Sequence, residues 1–443
     1  MRTSHHISQA ASLVLFCYWL IIRAIHTSLL NNAFYIILNS IVTSLLGFIF
    51  WNIMARTFSP ENVGIGSALI AASGLLAIIS TIGLESGLIR FIPKVKNAIS
   101  LINSTFTIVA ILATLISIIY LVGSVYWSPV LKFVLNDVLL LILFILTTMF
   151  TALSLLTDQA LLAGRSAKFV FYKNLLNSLI KLPLPLVAFS FWGGFGIFVS
   201  TGIGLALANI VAWFHFLPIV FKNYSARIFF DVNVIKHVLP FSFANYLANF
   251  LNSAPAFVYP LMIINILGPE NNAYFYIAWM MTMILRVIPN GISQSLFAEG
   301  AHDPQKLAQN GRRALIFALL LSLPASFTMI FLGGWLLSFF GPGYEENGKG
   351  IVFYLALGVF PQCINMLYIS LNQVKKKVNL IIIQAITVSI LSISGGYWLL
   401  GINGLNGIAM AYTFAQLVVA AIVICPLLRQ LLGKQKGSGH VVN

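Results

Sequence analysis

The chain has 443 residues, of which 8% are charged and 59% hydrophobic, with 35 Phe among them. Soluble proteins are charged at about a quarter of their positions, so a water-facing globule is excluded. A formal net charge of +15 would suggest nucleic acid in a soluble chain, but here the basic residues must first be placed relative to the apolar runs.

Backbone polar groups find no partner in hydrocarbon, so only helices or closed barrels cross it; the runs here are long and continuous, without the alternation of a barrel strand. The fold class is an all-α membrane protein. The chain begins with a segment, residues 1–30, whose apolar stretch Ala11 to Ile22 is too short to span and is followed by Arg23 and His26. It reads as an interfacial helix in preference to a removed signal peptide.

Twelve spans follow, at 33–54, 64–89, 104–126, 138–161, 169–192, 195–220, 238–267, 273–298, 312–340, 350–372, 378–401 and 406–428. The longest interior connection, 221–237, divides them into six-helix bundles over 31–220 and 238–428, and 429–443 is a tail. Ser59-Pro60-Glu61-Asn62 after the first span matches Gly268-Pro269-Glu270-Asn271 after the seventh. An even number of spans per half makes this a parallel repeat, the halves related by an axis along the membrane normal.

If alternate loops lie on opposite sides, twenty basic residues, Lys173 counted with them, fall on the side of the termini. Arg56, Lys132 and Lys349 fall on the other, and Lys181 and Arg286 fall inside spans. The positive-inside rule then puts both termini in the cytoplasm of a cell-membrane protein, and most of the +15 reports topology. No nucleic-acid partner is expected. Lys375-Lys376-Lys377 has some affinity for anionic membrane lipid.

Lys181 and Arg286 lie near the midplane, where a cation costs about 2.5 to 3.5 kcal/mol unless it meets a partner or water. No Asp or Glu stands at the middle of any span to neutralise them. Each also lies on a polar stripe at helical spacing: Asn174, Asn177 and Lys181 in the fifth span, Thr282, Arg286, Asn290 and Ser293 in the eighth, with a kink expected at Pro289. Asn245, Asn249 and Asn252 add a third stripe in the seventh. The stripes either line one cavity between the halves or glue helices together. Glu85, Arg90, Asp158 and Arg165 gather at the cytoplasmic ends of the second and fourth spans. Asp158 and Arg165, seven apart, form a salt bridge or gate contact, or all four are ordinary interfacial charges.

There is no phosphate-binding GxxxxGK[ST] loop, no Asp-x-Asp pair and no metal-ligand spacing, so neither a cofactor nor a metal is expected, and the chain is not read as an enzyme. The three cysteines lie far apart in or beside apolar runs and read as small apolar residues.

The stretches LLGFIFWNIMARTFSPENVGIGSALIAASGLLAIISTIGLESGLIRFIPK (45–94), TDQALLAGRSAKFVFYKNLLNSLIKL (157–182), RVIPNGISQSLFAEGA (286–301) and LSFFGPGYEENGKGIVFYLALGVFPQCINMLYISLNQVKKK (337–377) carry a resemblance. In this order they resemble polysaccharide and oligosaccharide-lipid flippases of the multidrug/oligosaccharidyl-lipid/polysaccharide exporter superfamily. The resemblance implies two six-helix bundles in a MATE-like V, alternating access, and a cationic central cavity for a lipid-linked pyrophosphate. Lys181 and Arg286 match that cavity, with Arg90 a third match; Glu85 stands where relatives often carry Asn or Asp, so it is given no coupling role. The implied cargo is a polyprenyl- or dolichyl-linked oligosaccharide, with its glycan against Asn245, Asn249, Asn252 and Asn290 and glycan-assembly enzymes as further partners. The rival reading is a cation-coupled exporter of drugs or metabolites on the same fold, which would need a membrane-embedded carboxylate. A third, a non-transporting scaffold, gives no reason for buried Lys and Arg.

Overall fold

The computed structural model describes residues 28–95 and 97–432, with 232–245 described as backbone only. The interfacial helix expected over 1–30 lies outside the described residues except at its end, as does most of the tail. The elements are α1 (Ser28–Thr57), α2 (Pro60–Thr81), α3 (Leu84–Phe91), α4 (Ala98–Trp127), α5 (Val138–Ala163), α6 (Ala167–Lys181) and α7 (Gly193–Val211) in the first half. The second half holds α8 (Val232–Ile266), α9 (Pro269–His302), α10 (Leu307–Ser338), α11 (Tyr344–Leu357), α12 (Val359–Val374), α13 (Val378–Asn403) and α14 (Leu405–Leu432).

Among the described residues, ten helices are long and apolar enough to cross a membrane, and α11 with α12, bent by 41° at their junction, is long and apolar enough if the pair is taken as one span. The twelfth expected span is α6, only 15 residues long. Pro183 and Pro185 follow it, and the chain continues through a short helical turn, Leu184–Val187, because proline lacks the N–H a longer helix would need. The chain is a multi-pass helical membrane protein.

Two breaks were not legible in the apolar pattern. The second span is interrupted between α2 and α3, where Ile82 and Gly83 both adopt left-handed backbone, with φ 43° and 84°. The tenth bends at Gly358, whose N–H bonds back to the Tyr354 carbonyl. The eighth, in contrast, is one helix running through Pro289.

Helix α1 runs from the face where the described residues begin, here the terminal face, to the opposite face. The turns that repeat in sequence open α2 and α9 there, each with proline in the first helical turn, where its missing N–H costs nothing. These two helices then pack on one another across the halves. The Asn272 amide donates to the Gly64 carbonyl (2.8 Å) and to Ser67 Oγ (3.0 Å). Asn52 Nδ2 and Arg56 Nε donate to the Phe339 carbonyl at 2.7 and 2.6 Å, and Asn265 reaches Ser128 Oγ at 3.2 Å. Phe50, Trp51, Met54 and Val63 of the first half sit in the same apolar cluster as Tyr274, Phe275 and Tyr344 of the second. On the terminal face the connection after α7 lies along α4: Asn103 donates to the Ser225 carbonyl, and the amides of Phe229 and Asp231 donate to Thr107 and Ser104.

Candidate functional site

Lys181 ends α6 and Arg286 sits midway along α9, as their positions in the sequence require. Among the described residues the two share no partner. Helix α6 is tied to α1 by side chains that both carry: Asn32 Oδ1 accepts from the Ala167 amide (2.9 Å), and Asn174 donates to Asn39 Oδ1 (3.2 Å). That pairing brings Phe50 under Lys181, whose Nζ stands 5.0 Å from the ring centroid. On its other side Lys181 rests against Gly204 of α7, where a Cβ would meet Lys181 Cβ at 3.2 Å and Asn177 Oδ1 at 2.6 Å. No hydrogen bond or ion pair reaches Lys181 Nζ among the described residues. A cation against an aromatic face keeps part of its stabilisation when desolvated, and Phe50 belongs to the cluster shared with the second half.

Arg286 has more company than an open cavity would give. Its guanidinium lies 5.4 Å from the Trp279 ring and 5.0 Å from the Tyr412 ring. With the Gln362 amide oxygen turned toward it, Nε and Nη2 donate to that oxygen at 3.0 and 3.1 Å, Nη2 also donates to the Tyr412 hydroxyl, and Nη1 approaches Met283 Sδ at 3.4 Å. The space left in this cage is about 10 Å³, at the lower limit for a single water. Every partner is neutral, so the positive charge is held and shielded without being cancelled. The Tyr412 hydroxyl also accepts from Gln416 (3.1 Å), Asn365 donates to Gln416 Oε1 (2.7 Å), and Gln384 donates to the Asn365 carbonyl (3.1 Å). A buried amide chain thus links α9, α12, α13 and α14.

Some members of the polar stripes join helices and others do not. Asn174 binds Asn39, Thr282 is buried and bonds back to the Trp279 carbonyl, and Ser293 is buried and donates to the Met366 carbonyl. Asn249 and Asn252 are exposed, Asn252 donating to its own helix at Ala248, and Asn290 is half-buried. The side chain of Asn245 lies outside the described residues.

Asp158 does not pair with Arg165. Helix α5 ends at Ala163, and Arg165 takes left-handed backbone (φ 53°), its N–H closing the helix onto Leu162. The i, i+7 face therefore never forms, and Arg165 is exposed. Asp158 instead meets Lys173 of α6, Nζ to Oδ1 2.8 Å, and Lys173 also donates to the Ser154 carbonyl (3.1 Å) and Ser154 Oγ (2.6 Å). Lys173 is completely buried, so it is a core residue and not a loop cation that reports topology. Its α6 neighbours Phe169 and Val170 are buried with it; that apolar surround was the available signal. Glu85 is half-buried with Oε2 lacking a hydrogen-bond partner, and Arg90 lies 5.8 Å over Phe91. Among the described residues no three His, Cys, Asp or Glu side chains gather as a metal site.

The family model for polysaccharide biosynthesis proteins matches residues 29–298, more than half of the chain. The chain belongs to the polysaccharide biosynthesis protein family. A second model, MatE, matches 244–398. No curated protein matches the chain as a relative. Among solved structures it is similar to the lipid II flippase MurJ in an inward closed conformation: 13% identity, TM-score 0.70, covering 89% of each chain. It is also similar to a multidrug resistance MATE family transporter of the MOP superfamily. For an inward-facing conformation of such a transporter the TM-score is 0.69 at 14% identity over 89% of this chain and 96% of the other; for an outward-facing conformation it is 0.60 at 13% identity over 91% and 95%. The family member described here therefore has the fold of that superfamily.

Proposed function

We propose that this protein is a flippase for a lipid-linked oligosaccharide or polysaccharide repeat unit, working by alternating access, with the terminal face cytoplasmic. The observation that carries this reading is that neither midspan cation has an acidic partner among the described residues. Lys181 meets only a ring face, and Arg286 meets only neutral partners. A lipid pyrophosphate supplies what both lack. Guanidinium can grip phosphate oxygens in pairs, while ammonium acts as a point charge. Gln362 and Tyr412 hold the Arg286 guanidinium until phosphate oxygens take their place, so the step exchanges neutral acceptors for anionic ones and leaves no cation bare. The stronger likeness to inward-facing relatives, and the hydrogen bonds joining the halves at the opposite face, support a state that loads from the cytoplasmic leaflet.

The MatE match and the MATE neighbours favour a second reading, a cation-coupled exporter of drugs or metabolites. Such a protein needs a carboxylate free to trade a cation; Asp158 is already matched by Lys173, and Glu85, whose Oε2 has no hydrogen-bond partner, is the group this second reading would use. A deletion strain separates the readings. Accumulation of lipid-linked sugar in the cytoplasmic leaflet, with unchanged drug sensitivity, supports the flippase; drug sensitivity with normal surface glycan overturns it.

A further inference from the structure

Two of the three basic residues on the opposite face, Arg56 and Lys349, line one pocket, together with Glu345 and Glu346. The pocket, about 500 Å³, is set where the end of α1 meets the turn between α10 and α11. The two halves meet at it: Arg56 Nε is held by the Phe339 carbonyl at 2.6 Å, and Glu345 Oε1 lies beside Gly334 on α10. An apolar crevice of about 470 Å³ runs down the same seam, lined by Gly47, Phe48 and Trp51 of α1, Met280 of α9, and Met329 and Leu336 of α10. Trp51 stands five residues before Arg56, about 7.5 Å along the helix, and Leu336 two before Ser338, so crevice and pocket follow one another. Exposed Trp335 packs on Phe339 at 4.7 Å beside them, the amphipathic aromatic pairing that marks headgroup depth.

We infer that this seam binds a phospholipid of the surrounding bilayer whose head carries both a phosphate and a primary ammonium, an aminophospholipid. The phosphate meets Arg56 and Lys349, the ammonium meets Glu345 and Glu346, and one acyl chain lies in the methionine-rich crevice. Charge balance selects the head. The pocket holds as many carboxylates as cations, so a purely anionic head meets repulsion along with attraction, while a head of both signs satisfies all four groups. A primary ammonium can also donate hydrogen bonds to the carboxylates, which a trimethylated one cannot. The head pocket is separate from Lys181 and Arg286, the crevice meets the Arg286 cage only at Met283, and the inference does not rest on what the protein transports.

The test is native mass spectrometry of the full chain, released from bilayers holding equal amounts of phosphatidylethanolamine, phosphatidylcholine, phosphatidylglycerol and undecaprenyl diphosphate. Retention of phosphatidylethanolamine about tenfold above phosphatidylcholine is expected. The pair Glu345→Gln with Glu346→Gln should erase that preference, whereas Arg56→Gln should lower the retention of both zwitterionic lipids. Gly47→Leu, at a position where an added Cβ meets nothing within 4 Å, should lower total retention by filling the crevice. Lys132→Gln, the third basic residue on that face, should change nothing. Equal retention of the two zwitterionic lipids, preference for the diphosphate lipid, an undiminished preference in the Glu345 and Glu346 double variant, or unchanged retention in Arg56→Gln would each overturn the inference.

Discussion

Gly64 and Pro269 meet where the two halves join: a Cβ at residue 64 would stand 1.7 Å from the Pro269 carbonyl oxygen. The contact brings together the two turns that repeat in sequence, Pro60-Glu61-Asn62 and Pro269-Glu270-Asn271, so the likeness between the halves coincides with the place where they touch. Gly64→Ala forces the turns apart, at a cost of about 1 to 3 kcal/mol, enough to shift a two-state equilibrium fivefold or more. In a chain stripped of its own cysteines, Asn271→Cys should react with a membrane-impermeant thiol reagent from the opposite face several times faster when residue 64 is alanine. Unchanged labelling would show that this junction does not gate access.

Lys173 and Asp158 form the buried ion pair of the first half. Removing one partner leaves the other charge unmatched, so Lys173→Met or Asp158→Leu alone should destabilise by about 3 kcal/mol, while the double replacement should recover most of the loss. Thermal unfolding of the purified variants in detergent reads this directly. A double variant no better than the worse single one would contradict the pairing.

How much of this was legible in the sequence depended on which physical term decided each feature. Span positions followed from apolar length. The mid-helix placement of Lys181 and Arg286 followed from simple counting. What a charge touches was not legible. Asp158 appeared to share a face with Arg165 because the spacing presumed a helix that stops at Ala163. Lys173 looked like a loop cation because its partner lies on a different helix. The cage around Arg286 draws on Trp279 from its own helix but on Gln362 and Tyr412 from α12 and α14, a convergence that no single-helix periodicity contains. The amides at Asn365, Gln384 and Gln416 were the overlooked clue, since such groups in apolar spans need partners.

The Tyr412 hydroxyl accepts from Arg286 and Gln416 together. Tyr412→Phe keeps the ring under the guanidinium and removes only that oxygen. A hydrogen bond to a charged group contributes about 1.5 to 3 kcal/mol to stability, so the melting temperature should fall modestly, and the reconstituted transport rate should fall further, about tenfold, as the guanidinium loses its preset orientation. Gln362→Leu should act in the same direction. Equal losses of rate and of thermal stability would assign both residues to packing alone.

The two cations should also differ in what they tolerate. Arg286 is clamped in the plane of its fork by Gln362 and stacked near two rings, whereas Lys181 has one ring contact and no directional partner. Arg286→Lys should therefore lower transport several-fold more than Lys181→Arg. Initial rates in proteoliposomes at matched protein density compare them; the reverse order would contradict the assignment of the forked contact to Arg286.

The most direct test of the central claim is flipping of a fluorescent lipid-linked oligosaccharide by the purified protein in liposomes, with Lys181 and Arg286 both replaced by glutamine. Transport at the level of protein-free liposomes, from a double variant that unfolds at the temperature of the original chain, is the predicted result. Full transport by that variant would contradict it.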